Sequence, residues 1–252
     1  MQISVTEKRK GGHRMTEKEQ KYRHEMKYAV SAAQIPLLKS RICNLMQPDP
    51  HASTEGSYHI RSLYFDDYSN RCFYENENGT DPREKFRIRI YNRAAQRITL
   101  ECKRKERGKT LKTSCSLTLE QAQQLIQGKS PALSDSFPPL LNRLLIGMRT
   151  HHLRPVVIVE YERMPYVYKN GNVRVTFDTQ IASSSDIAGF FSERLPNRPV
   201  MPAGYHLMEV KFDEYLPDFI YRGLNLGTLR QTAFSKYYLC RKFTIHRTGD
   251  RL

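Results

Sequence analysis

The chain has 252 residues, 39% hydrophobic and 27% charged, enough apolar material for one large domain and too much for a disordered chain. Forty-one Lys and Arg stand against 26 Asp and Glu, a formal charge of +15 that favours an anionic partner. No apolar run approaches the roughly 18 residues of a membrane span, and no apolar segment follows Lys8, Arg9, Lys10 and Arg14 as a secretory signal would require. Five cysteines without a CxxC pair argue against structural zinc or a disulfide framework, so a cytoplasmic location is expected.

Residues 1–20 are polar and aperiodic and are expected to form a basic flexible tail, within which Met15 is an alternative start. Order is expected from 21 to 245, with a second short tail at 246–252. Tyr22–Val30 reads as a strand. Ser31 and Gln34 form a capping-box pattern before a helix whose apolar positions are Ile35, Leu38, Ile42 and Leu45. His59–Phe65 reads as a strand and Asn70–Tyr74 as a short helix. Lys85–Tyr91 has strict period-2 alternation, continued by Ile98–Lys105 and, after the Arg107-Gly108 turn, by Lys109–Ser116. Two helices follow, Thr118–Gln127 with a second capping box and Leu140–Met148. Then come strands Val156–Tyr166, Val173–Asp178 and His206–Asp213, and helices near Asp218–Asn225 and Phe234–Lys242. The order suggests one α+β domain on a mostly antiparallel sheet.

Residues of one parity share a strand face. Arg87 and Arg89 oppose Phe86, Ile88 and Ile90, while Glu101, Lys103 and Lys105 oppose Leu100 and Cys102. Glu25 aligns with Lys27, Tyr161 with Arg163, and Glu209 with Lys211. On any one strand, a charged face meeting water explains this adequately. Across the set, like charges would face each other on a flat sheet, and the helices need the apolar faces to pack on. A barrel with the helices packed on the outside turns the charges inward. Such a lumen is tenable only if it is wet and holds an anion, because unpaired buried charge costs several kcal/mol per group.

The stretches carrying this pattern are Arg23-His-Glu25-Met-Lys27-Tyr28, Ile60-Arg61-Ser-Leu-Tyr64-Phe65-Asp66, Phe86-Arg87-Ile-Arg89-Ile-Tyr91, Leu100-Glu101-Cys-Lys103, Glu160-Tyr161-Glu-Arg163, Arg174-Val-Thr-Phe-Asp178, Met208-Glu209-Val-Lys211 and Phe234-Ser235-Lys236-Tyr237. In this order they resemble the VTC domain, the polyphosphate polymerase domain of the vacuolar transporter chaperone family, among the CYTH-like triphosphate tunnel metalloenzymes. The resemblance spans about residues 20 to 243. It implies an eight-stranded antiparallel β-barrel tunnel that binds ATP and triphosphate or polyphosphate. It also implies transfer of the terminal phosphoryl of ATP with a divalent cation, manganese or magnesium. Carried over by position, Lys27, Arg61, Arg87, Arg89, Lys103, Arg163, Lys211 and Lys236 would hold phosphate oxygens. Tyr161 and Ser235 would add hydrogen bonds, and Glu209 with Glu25 would hold the metal. The wider superfamily opens with ExExK, whereas Arg23 stands here in place of the first glutamate. The SPX and transmembrane segments of eukaryotic relatives are not in this sequence, so a stand-alone bacterial member is expected, with a membrane partner left open.

Arg87, Arg89, Lys103, Arg163 and Lys236 are therefore the candidate catalytic residues. Removing Arg87 or Arg89 is expected to stop turnover and leave the fold intact, since neither lies on the apolar face. No P-loop, GxxxxGK[ST], is present, so nucleotide would be gripped by its phosphates. Three function classes follow: a polyphosphate polymerase, a triphosphate hydrolase on the same tunnel, or a polyphosphate or nucleic-acid binder, with DNA not expected. Tyr28, Tyr64 and Tyr91 read as packing residues rather than stacking platforms. His151-His152 reads as a helix-end pair, because adjacent residues do not share a face.

Overall fold

The computed structural model describes residues 21–249; the expected N-terminal tail, with Met15, lies outside them. Eight long antiparallel strands form one curled sheet: β1 (His24–Ser31), β3 (Tyr58–Asp66), β4 (Arg83–Tyr91), β5 (Ala94–Glu106), β6 (Lys109–Leu117), β7 (Arg154–Tyr168), β8 (Val173–Ser184) and β10 (Tyr205–Phe212). They lie in the order β1-β10-β8-β7-β3-β4-β5-β6, and the two-residue strands β2 (Gln47–Pro48) and β9 (Arg198–Pro199) pair with β7 and β8. The curl brings edge strand β6 back to β1, where Arg23 and Thr110 exchange two backbone hydrogen bonds of 2.9 Å. The β5–β6 hairpin turns through Arg107 and Gly108, both at positive φ, as a two-residue hairpin turn requires.

The alternation seen in the sequence decides what each face packs against. Leu63, Ile88, Leu100 and Ile158 are in register on the convex side, under α3 (Leu119–Ile126) and α4 (Pro139–Thr150). Val175, Phe177, Met208 and Val210 form a second convex patch, under α1 (Gln34–Ile42) and α5 (Asp218–Gly223). Both capping boxes are present. The Gln34 and Gln121 amides donate to Ser31 Oγ and Thr118 Oγ1 at 3.2 and 3.1 Å, and both glutamine side chains accept the return bond. His151 ends α4, and His152 beside it is exposed.

The last helix adds a feature that periodicity did not reveal. α6 (Lys236–Gly249) lies on the concave side with α2 (Arg71–Glu77), where Tyr237 and Cys240 bury against Ile60, Tyr64, Val157, Val159 and Leu207. One part of the inner surface is thus apolar and filled by a helix. The remainder keeps its charges.

Candidate active site

A cavity of about 660 Å³ occupies the charged part of the concave side. Ten Lys and Arg line it against three glutamates. Cross-strand register puts them there. Arg87 lies opposite Tyr64 and Glu101, Arg89 opposite Ser62 and Thr99, Glu209 opposite Lys27 and Thr176, and Lys211 opposite Glu25. Residues directly opposite in an antiparallel pair project to the same side, so one register assembles side chains from β1, β3, β4, β5, β7 and β10. α6 delivers Ser235 and Lys236 from its first turn and the residue before it.

The deepest cations are held by a second set of carboxylates. Arg87 donates through Nε to Glu101 at 2.7 Å and through Nη1 to the Tyr64 hydroxyl at 2.8 Å. Arg89 is held by neutral groups instead, Ser62 Oγ at 3.0 Å and the Tyr161 hydroxyl at 3.2 Å, with Glu101 3.7 Å away. Arg163 forms a bidentate pair with Asp178 at 2.7 Å for both bonds. Lys236 bridges Asp178 and Glu209 at 2.6 and 2.7 Å and lies over the Tyr161 ring. Burial alone would raise the carboxyls of Glu101 and Glu209. The Arg87, Arg89 and Lys112 charges at the first, and Lys211 and Lys236 at the second, hold both well below the usual carboxylate range. Asp178 and Glu209 in turn hold the Lys236 ammonium above its ordinary value against its burial. All these groups are therefore charged at neutral pH, and a fixed scaffold of ion pairs presents the remaining donors to the cavity.

The metal expectation rests on Glu25 and Glu209. Among the described residues no three His, Cys, Asp or Glu side chains cluster as a metal cage. The two glutamates do converge on a cation: Lys211 Nζ lies 2.9 Å from Glu209 Oε2 and 3.4 Å from Glu25 Oε1. Lys103 also pairs with Glu25 at 2.6 Å. Two carboxylates sharing one positive charge fit a divalent ion only if anionic oxygens arrive with it, because five cations surround them.

Lys27, Arg87, Arg89, Lys103, Tyr161, Arg163, Lys211, Ser235, Lys236, Glu25 and Glu209 all line the one cavity. Arg61 does not, which corrects the expectation that it holds phosphate. It lies opposite Ile90 and Glu160, on the convex side. Fully buried, it donates to Glu160 at 2.5 Å and to the carbonyls of Phe190 and Ser192 at 2.7 and 2.6 Å. It fastens the Ala188–Phe191 turn to the barrel. Strand β3 is buried on both faces, so its sequence has no polar alternation to reveal the face of Arg61.

Of the lining residues that were missed, Tyr64 and Lys85 make defined contacts at the site. Tyr64 reads as packing, yet its hydroxyl orients Arg87. Lys85 shares the parity of Arg87 and was legible by that signal. Its Nζ donates to Asn76 Oδ1 at 2.9 Å and Ser235 Oγ at 3.4 Å and lies over the Tyr237 ring.

The VTC domain model matches residues 22–245, and the chain belongs to the VTC domain family. No curated protein matches it. Solved structures with a similar course include a Bacillus halodurans protein named as a candidate adenylate cyclase, 15% identical over 82% of this chain and 88% of its own, TM-score 0.46. Another is the Hippeastrum protein HpAC1, described as having a dominant triphosphatase activity; it is 13% identical over 92% of this chain and 97% of its own, TM-score 0.47. The PH1819 protein of Pyrococcus horikoshii is 12% identical over 86% and 97%, TM-score 0.45. Likeness at this distance bears on neither activity nor substrate. Among the described residues no helix is long and apolar enough to cross a membrane.

Proposed function

We propose that the chain is a polyphosphate polymerase that transfers the terminal phosphoryl of ATP to a polyphosphate chain held in the concave cavity. The observation that carries this reading is the ratio of ten cationic to three anionic lining residues in a cavity built by a VTC-family chain. Phosphoryl transfer asks a protein chiefly for positioning and charge stabilisation. Arg89 and Arg163 supply planar donor forks whose orientation is fixed by Ser62, Tyr161 and Asp178. Lys103, Lys211 and Lys236 supply ammonium groups with carboxylates behind them. A phosphate acceptor is already ionised, so no side chain need remove a proton. Glu209, with Glu25, would hold a divalent ion, manganese or magnesium, that neutralises charge on the transferring group.

The test is incubation of the protein with ATP and manganese, followed by separation of the products. A ladder of chains is expected. Free phosphate alone makes the same cavity a triphosphate hydrolase, and no product makes it a binding module. Glu209→Gln is expected to retain triphosphate binding, since an anion site loses a negative charge, while turnover falls by about a hundredfold or more. Near-normal turnover with unchanged manganese dependence in this variant would remove Glu209 from the metal role.

Lys85 gives a pH prediction. Burial, with Arg83, Lys103 and Lys27 nearby, pulls its amine down to about 7. The ammonium form binds an anion, so the Lys85 contribution is complete below that value and is lost as pH rises through it. Affinity for long polyphosphate measured from pH 6 to 9 should weaken with a step near 7 that is absent from Lys85→Met. The same step in both proteins would assign it to the ligand.

A further inference from the structure

Eight of the ten cations of the cavity fall into two groups, with Lys27 and Arg89 between them at 4.0 and 3.7 Å from Glu25 and Glu101. Arg87, Arg163, Lys103, Lys211 and Lys236 each have a carboxylate within 3 Å. Arg83, Lys85 and Lys105 have none in salt-bridge range among the described residues. Arg83 donates to the Thr80 carbonyl at 2.7 Å, and Lys85 reaches only Asn76 and Ser235. All three line the same cavity and are half-buried, as are Arg87 and Lys103, but Arg83 and Lys105 pair at the strand end next to the exposed Arg107-Gly108 turn, so the uncompensated group marks the cavity mouth.

Their placement is costly in the free protein. Arg83 lies directly opposite Lys105 in the β4–β5 register, and Lys85 opposite Lys103. Like charges directly opposite on a sheet are destabilising. The β4 ladder Arg83, Lys85, Arg87, Arg89 is about 20 Å long by strand rise. That is well beyond the reach of a triphosphate, which the carboxylate-backed inner cations can hold alone.

We propose that Arg83, Lys85 and Lys105 form a second anion subsite at the cavity mouth, which grips a long inorganic polyphosphate beyond the phosphates held inside. The inference rests on the reading of the cavity as a polyphosphate site. The inner tier, in which four carboxylates back five cations and Arg89 keeps its charge available, binds any short phosphate chain. The mouth is unbalanced and stabilises only a ligand long enough to reach it, so affinity increases with chain length. Nucleic acid suits the mouth less well, because the Tyr237 ring there is covered by Lys85 and offers no face for a base to stack on.

The experiment is calorimetric titration of wild type, Arg83→Ala/Lys105→Ala and the charge-preserving Arg83→Lys/Lys105→Arg with inorganic triphosphate and with long polyphosphate, at two salt concentrations. Wild type should bind the long chain more tightly than triphosphate. The alanine pair should lose about tenfold or more in long-chain affinity at low salt and less at high salt, with triphosphate affinity within about twofold of wild type. The charge-preserving pair should resemble wild type. Equal losses for both ligands, no loss for either, or tighter binding of an RNA oligomer than of polyphosphate would overturn the subsite. If wild type binds triphosphate and gains nothing from length, the subsite fails and the cavity reading stands. If it binds neither ligand, both fail.

Discussion

Arg89→Ala is expected to lower phosphoryl transfer by about 10²–10³-fold, the effect of removing one oriented donor from a transition-state site, while the protein keeps its fold. The reason lies in what holds the side chain. Ser62 Oγ and the Tyr161 hydroxyl orient the Arg89 guanidinium without neutralising it, so its charge remains available to a phosphoryl group. Truncation leaves two hydroxyls that can turn to water in a wet cavity. Arg87 is different, and the expectation that its removal spares the fold needs correction. Its Nε and Nη2 lie 2.7 and 2.6 Å from buried Glu101, whose remaining partners are Lys112 at 3.1 Å and the more distant Arg89. Arg87→Ala should therefore lose both activity and melting temperature, whereas Arg89→Ala should lose activity alone. Thermal melts beside a turnover assay separate the two. A fall in melting temperature for Arg89→Ala as large as that for Arg87→Ala would make both arginines structural.

Arg61→Ala should destabilise the fold strongly without any effect on substrate contacts. Truncation strips buried Glu160 of its closest cationic partner, leaving His59 at 3.5 Å and the amide of Asn197, and it frees two backbone carbonyls. Breaking a buried ion pair from one side costs about 3–5 kcal/mol. For a domain of this size that is a fall of about 10 °C or more in melting temperature. Arg61→Met/Glu160→Leu, which removes both charges, should recover much of the loss. If instead Arg61→Ala melts like wild type and binds triphosphate more weakly, the arginine acts on the ligand and its assigned place on the convex side is wrong.

These two arginines show how far the sequence could be read. Arg89 was legible because β4 alternates Phe86, Ile88 and Ile90 against Arg87 and Arg89, a pattern with one solution once a helix must cover the apolar side. Lys27, Lys103, Tyr161, Arg163, Glu209 and Lys211 follow by the same parity. Arg61 was not, because both faces of Tyr58–Asp66 are buried and only the register with Ile90 and Glu160 distinguishes them. The position of α6 was hidden for a related reason. Its inner neighbours are both apolar and charged, so Lys236, Tyr237 and Cys240 present no simple amphipathic stripe. Tyr64 packs as expected, and the further role of its hydroxyl went unread because a tyrosine within a strand packs with its ring while its hydroxyl remains free to orient a neighbour.

The single pair of hydrogen bonds between Arg23 and Thr110 gives the barrel a clasp. Every other junction around the hoop is a ladder of at least five paired residues. The clasp is backed by side chains, since Glu25 on β1 reaches Lys103 and Thr110 across the junction at 2.6 and 3.4 Å. A ring that opens nowhere can receive a polymer only by its end. A ring with one weak fastening can also be loaded from the side, and the anion it admits competes with Glu25 for Lys103. Ligand and latch would then share a lysine, so occupancy loosens the fastening that admits the chain. Amide exchange at Arg23 and Thr110 should be faster than at Val175 or Val210, and faster again with polyphosphate present; protection at the clasp equal to that of the inner strands would leave end-on threading as the only route.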